Sequence, residues 1–194
     1  MFTGIVTGLG RIATIEHRAG DRRLRIETPA GFLKGVKRGD SIGVSGICLT
    51  VASKRARSFE ADVSTETLVT TTARSWHAGT TVNLEKALAL GQTLGGHLVS
   101  GHVDGVGRLA SKKRESRSWR LSFSLEPPLA RYVARKGSIS VDGVSLTVNR
   151  IKGLQFEVNI VPHTHRHSTL GLLAPGDPVN LEVDLIARYL ERLI

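Results

Sequence analysis

Short runs in which apolar and polar residues alternate dominate the chain: SIGVSG (41–46), ICLTVAS (47–53), SFEADVS (58–64) and TVNLE (81–85). A period of two, rich in β-branched residues and bounded by glycine or polar turns, predicts half-buried strands. Many such strands with little helical pattern predict an all-β protein built on small antiparallel barrels. Helical spacing is confined to two places. PPLARYVARKG (127–137) has proline near a helix start. DLIARYLERLI (184–194) places Leu185, Tyr189, Leu190 and Leu193 along one face, with Asp184 at the start. A terminal helix of about 11 residues is marginal alone and must pack on its own barrel or on a neighbouring chain.

The pattern occurs twice. At an offset of 97, TGIVTGLGRIA (3–13) falls on SGHVDGVGRLA (100–110), and DSIGVSGICLTV (40–51) on GSISVDGVSLTV (137–148). FEADVSTET (59–67) falls on FEVNIVPHT (156–164), and VNLE (82–85) on VNLE (179–182), all without a gap. A fixed period marks duplicated structural units. Two homologous domains are therefore expected, 1–97 with its linker and 98–194 with the terminal helix, which has no counterpart in the first half. Gly4, Gly8 and Gly10, with Gly101, Gly105 and Gly107, suit tight bends or close approach of backbone to a ligand.

Composition narrows the function classes. Forty percent apolar and 23% charged residues describe an ordinary globular protein. A single cysteine excludes an intrachain disulfide framework, and MFTGIVTGLG has no signal-peptide pattern, so a cytoplasmic address is expected. No run approaches the roughly 20 apolar residues of a membrane-spanning helix. The net charge of +10 favours anionic ligands, but the clusters at Lys34, Lys37 and Arg38, at Lys54, Arg55 and Arg57, and at Lys112 to Arg120 lack interleaved aromatics. They read as solvated faces rather than a nucleic-acid surface. His163, His165 and His167 alternate as strand metal ligands would, but no acidic or cysteine partner lies nearby in sequence. A solvated loop, with no metal, is expected there.

MFTGIV, the pair GICLTV and GVSLTV, LGGHLVSGHVDGVG (94–107), ARKGSISVDGVSLTV (134–148) and VNLEVDLIARYLERL (179–193) resemble riboflavin synthase of the α-chain type across essentially the whole chain. The resemblance implies two six-stranded antiparallel Greek-key barrels and a C-terminal helix through which three chains associate. It implies dismutation of two 6,7-dimethyl-8-ribityllumazine molecules, the last step of riboflavin biosynthesis. A four-carbon unit passes from one to the other, giving riboflavin and 5-amino-6-ribitylamino-pyrimidinedione, with no cofactor or metal. Active sites between the first barrel of one chain and the second of a neighbour are implied as well, with lumazine synthase a candidate partner.

Two identical substrates in unequal roles call for copies that match where they bind and differ where they do chemistry. Gly4 matches Gly101, Val6 matches Val103, Ser41 matches Ser138, Leu49 matches Leu146, Thr50 matches Thr147, and Thr67 matches Thr164. Ile5 against His102, Gly39 against Lys136, Cys48 against Ser145, Glu66 against His163, and Ala87 against Asp184 differ. By resemblance the first barrel contacts substrate through Gly4, Ile5, Val6, Ser41, Cys48, Leu49 and Thr50, and through Asp62, Val63, Ser64, Thr65, Glu66 and Thr67. The second uses Gly101, His102, Val103, Lys136, Ser145, Leu146 and Thr147, with Asn159, Ile160, Val161, Pro162, His163 and Thr164.

The reaction needs a base for the 7-methyl proton of the donor, and His102 is the candidate. It also needs a nucleophile at the acceptor's C7. Cys48 as thiolate is one choice, and a water or alkoxide positioned by Ser145, Thr147 and Asp184 is another. Lys136 is suited to stabilise an anion or a ring carbonyl. The rival readings are a non-enzymatic lumazine- or flavin-carrying optical protein, a flavin-binding reductase domain and a basic nucleic-acid-binding barrel. Retention of the whole chemical set favours the enzyme. Cys48 and His102 fall in different halves, so mixed oligomers of Cys48→Ser and His102→Gln chains are expected to regain activity.

Overall fold

The computed structural model describes residues 1–193; Ile194, the last residue of the predicted terminal helix, lies outside the described residues. Six strands form the first barrel: β1 Gly8–Arg18, β2 Asp21–Glu27, β3 Ser41–Val44, β4 Ile47–Lys54, β5 Ser58–Val63 and β6 Thr81–Lys86. They close in the order β1-β2-β5-β4-β3-β6 with every pairing antiparallel. The second barrel repeats this with β7 Gly105–Glu115, β8 Ser118–Ser124, β9 Ser138–Val141, β10 Val144–Lys152, β11 Gln155–Ile160 and β12 Pro178–Val183. In each, three hairpin-linked strands follow a long connection, which is a Greek key. Each strand of the second barrel starts 97 residues after its partner.

Alternation works as the sequence predicts. Ile47, Leu49 and Val51 of β4 point into the first core, while Cys48 and Thr50 face outward. In the second core Phe123 and Phe156 stack with ring centroids 5.5 Å apart.

Two short helices depart from the strand-and-loop expectation. After β5, the Ser64 hydroxyl accepts from Thr67 N and caps helix α1, Thr65–Thr70. The helical stretch expected at 127–137 does form, but as the single turn α2, Pro127–Ala130. At the place corresponding to α1, Pro162 opens helix α3, Pro162–His167, so the three histidines lie on a helix and not in a loop. His165 stacks on Trp119 of β8 at 3.7 Å, and His163 stacks on His167 at 4.2 Å, the neighbour that helical i,i+4 spacing supplies. No cluster of metal-binding side chains occurs among the described residues. None of the helices is long and apolar enough to cross a membrane.

The halves meet about a local two-fold axis, with the main contacts repeated in reverse. Asn83 Nδ2 donates to the carbonyl of Asp142, and Asn180 Nδ2 donates to that of Ser45, both at 2.8 Å. Asn180 Oδ1 accepts from Thr72 N at 2.7 Å, and Asn83 Oδ1 from Thr169 N at 2.8 Å. Phe2 and Val99, 97 residues apart, pair as an antiparallel bridge. The symmetry breaks at Ser45 and its counterpart Asp142. The Asp142 carboxylate accepts from Asn180 N, and its complete burial pushes the carboxyl up to about 7.

Candidate active site

The segment preceding each barrel crosses to the other one. Cys48 N donates to Gly101 O, and Ser145 N donates to Gly4 O, both at 2.8 Å. Val103 packs against the first core and Val6 against the second. This corrects the grouping by half: Gly101, His102 and Val103 lie on the first barrel beside Cys48, and Gly4, Ile5 and Val6 on the second beside Ser145. Glycine is required at both crossings. Gly4 and Gly101 have φ of +76° and +80°. A Cβ on Gly101 would sit 2.6 Å from Cys48 Cβ, and one on Gly4 2.5 Å from Ser145 Cβ.

The first half-site therefore comprises the outer face of β4 (Cys48, Thr50), Ser41 paired opposite Thr50, the α1 cap from Ser64 to Thr67, and the crossing segment. Cys48 is a free, half-buried thiol. Asp62 is held by Arg23 through two hydrogen bonds, which keep its carboxyl below the usual carboxylate range. Leu49, Val63, Leu146 and Ile160, expected as ligand contacts, face the cores instead, because β alternation turns them inward. Only their backbones remain available to a ligand.

The second half-site holds Ser145 and Thr147 on the outer face of β10, with Asn159, Val161, Pro162, His163 and Thr164 at the end of β11 and the start of α3. Lys136 lies with Asn159 in an open groove of about 610 Å³. Its φ of +67° is strained for a side-chain-bearing residue; Gly39 holds the equivalent place at +92°.

One residue was missed. His97 Nδ1 lies 2.6 Å from Ser145 Oγ, and its Nε2 is buried without a hydrogen-bond partner among the described residues. Burial pushes the imidazole below its usual range, opposed by the charge of Asp184. The fold thus brings a hydroxyl against an imidazole whose burial favours its neutral form, within electrostatic reach of the Asp184 carboxylate. The offset of 97 leaves His97 without a counterpart in the first half, so comparing the copies could not single it out; LGGHLVSGHV contained it without marking its role.

Asp184 caps the terminal helix α4, Leu185–Glu191, through Ile186 N at 3.0 Å. Helix α4 is pinned to its barrel by polar contacts: Arg188 with Asp104 at 2.8 Å, Glu191 with Arg131 at 3.0 Å, and Glu191 with the Tyr132 hydroxyl.

Each barrel thus presents hydroxyls on an outer face crossed by the glycine-bearing segment that leads into the other barrel, the frame of a two-domain small-molecule-binding protein. The sequence model of the lumazine binding domain matches twice, over residues 3–87 and 100–184. The chain belongs to the riboflavin synthase family. It is 42% identical over 194 residues to the riboflavin synthase of Photobacterium phosphoreum, covering all of this chain and 89% of that one. To the riboflavin synthase of Mycobacterium bovis it is 44% identical over 199 residues, covering all of this chain and 98% of that one. Among solved structures, LumP complexed with riboflavin superposes with a TM-score of 0.88 at 28% identity, covering 94% of this chain and 99% of that one. LumP complexed with 6,7-dimethyl-8-(1'-D-ribityl) lumazine gives 0.86 at 27% identity, with the same coverage.

Proposed function

We propose that this enzyme catalyses dismutation of two 6,7-dimethyl-8-ribityllumazine molecules to riboflavin and 5-amino-6-ribitylamino-pyrimidinedione, one molecule bound at each kind of half-site. The observation that carries the reading is the inequality of two otherwise matched pockets: a thiol at Cys48 in one, and the Ser145–His97 pair at the same strand position in the other. A neutral imidazole accepting the Ser145 proton activates that hydroxyl, or a water in its place, for addition at the acceptor's C7. His102, on the segment covering Cys48, is placed to take the 7-methyl proton of a donor in the first half-site. Lys136 supplies positive charge beside the second, where negative charge develops on the acceptor ring.

Transfer between the half-sites requires that they face each other across chains, in a homotrimer joined through α4. Ile186, Tyr189, Leu190 and Leu193 support this, for they form an apolar stripe at helical spacing that is 65, 64, 51 and 83% exposed. Incubating the protein with dimethylribityllumazine should produce riboflavin, followed by absorbance. Tight binding without turnover would make it a carrier, the alternative that fits the likeness to LumP complexed with the same lumazine and with riboflavin.

Cys48 and His102 belong to the same half-site, so Cys48→Ser and His102→Gln chains should not rescue each other. Mixed oligomers of Cys48→Ser and Ser145→Ala chains should, because a face joining the intact half-site of each can form. Equal rescue by both mixtures would refute the division of the site.

A further inference from the structure

Glu182 in β12 is 2% exposed and Glu85 in β6 is 8% exposed, and among the described residues neither forms a salt bridge, the α-amino group alone acting on Glu85 from a distance. A buried, unpaired carboxylate is costly unless its lone pairs are filled by donors. Both are filled in the same way. Glu182 accepts from Ser100 N at 2.6 Å, Ser100 Oγ at 2.7 Å and Gly101 N at 2.9 Å. Glu85 accepts from Thr3 N at 2.7 Å, Thr3 Oγ1 at 2.7 Å and Gly4 N at 3.0 Å.

Each carboxylate thus grips the segment at the point where it leaves its own barrel. On the far side of the grip, the Gly101 carbonyl meets Cys48 N, and the Gly4 carbonyl meets Ser145 N. Resting on the reading of the pockets as lumazine half-sites, we propose that Glu182 and Glu85 are positioning residues acting crosswise. Glu182, in the second barrel, sets the geometry of the first half-site, and Glu85, in the first barrel, sets that of the second. The second segment carries a further anchor beyond His102, where Asp104 Oδ2 accepts from Val183 N at 2.8 Å. The backbone bearing the candidate base is therefore fixed on both sides. Thr7, at the corresponding position, reaches only the Leu84 carbonyl.

The test uses Glu182→Gln and Glu85→Gln in the full chain with riboflavin as the fluorescent probe. Glutamine keeps one acceptor oxygen but turns an N–H₂ group toward the backbone N–H of Gly101 or Gly4. Thr50→Trp and Thr147→Trp fill the first and second half-sites in turn, so that each site is read alone. With only the first half-site open, Glu182→Gln should weaken riboflavin binding about ten-fold, as expected for one buried hydrogen bond lost to a mismatched donor. With only the second open, Glu182→Gln should leave affinity within about two-fold, because separated sites act additively. Glu85→Gln should show the reverse.

Weakening at the half-site of the mutated residue's own barrel, or equal weakening at both, would overturn crosswise positioning. If a glutamine variant does not fold, Ser100→Ala and Thr3→Ala each remove the hydroxyl that donates to the carboxylate and accepts from His102 N or Ile5 N, and must show the same crossed pattern. Failure of the unmodified chain to bind riboflavin or the lumazine would overturn the half-site reading and this inference with it. Binding without turnover would overturn only the proposed reaction.

Discussion

Single side chains carry the asymmetry between two nearly identical barrels, and two of them make sharp predictions. His97 must be neutral to accept the Ser145 proton, and its burial places its titration below the ordinary 6.5. Activity should therefore hold through neutral pH and fall only at more acidic pH, as the imidazole gains a proton. His97→Gln should remove that acidic limb and lower kcat by about 100-fold or more, the usual worth of a positioned base, as steady-state rates across pH would show. Lys136 tests a trade of stability for function. Lys136→Gly relieves a left-handed backbone and should leave the protein equally stable or up to about 1 kcal/mol more stable. Turnover should still drop on the order of 100-fold if the ammonium stabilises developing charge. Urea unfolding and kinetics on the same preparation separate the two effects. Comparing the two copies exposed Cys48 against Ser145 and Gly39 against Lys136 because those positions have partners to differ from. His97 has none, and its pairing with Ser145 depends on a linker folding back 48 residues away in sequence.

Among the elements, strands were legible and short helices were not. Alternation in β4 reports directly which residues face the core, since the pleat turns successive side chains to opposite sides. Helices α1 and α3 span six residues each, too short for a 3.6-residue period to show, and α1 is rich in threonine and valine, which read as strand. Their start signals, Ser64 as cap and Pro162 at the first turn, were the available clue. The terminal helix was expected from its spacing and its Asp184 start. Ile186 joins its outward stripe, whereas Leu185 is half-buried. If chains join through α4 as proposed, Leu190→Asp should yield a monomer and abolish turnover while each barrel still binds riboflavin. Sedimentation velocity beside a fluorescence titration would show this, and an active monomer would remove α4 from the assembly.

On the scale of the whole molecule, the two-fold contact between the barrels contains a titratable group on one side only. The Asp142 carboxyl is raised to about 7 by burial, so the folded chain binds a proton that the unfolded chain, with an ordinary value of 3.8, has already released. Stability contributed by this group is full below the unfolded value and lost as pH rises through about 7. Asp142→Asn should be the more stable chain at about pH 8, by a gap on the order of 4 kcal/mol or less, and should lose that advantage near pH 4. Thermal unfolding across this range measures it; a constant gap would mean that Asp142 does not titrate there. The buried Glu85 and Glu182, also raised by desolvation, tilt the profile in the same direction. The sequence by itself determined the duplication, the barrel strands, the family and most of the residues that differ between copies, because repeat register and β alternation are local and periodic. Only the tertiary structure decided that each barrel's outer face is crossed by the other half's segment, that Glu85 and Glu182 hold those segments, and that His97 meets Ser145. Contacts across a two-fold axis join residues of unrelated spacing, and no periodicity along the chain records them.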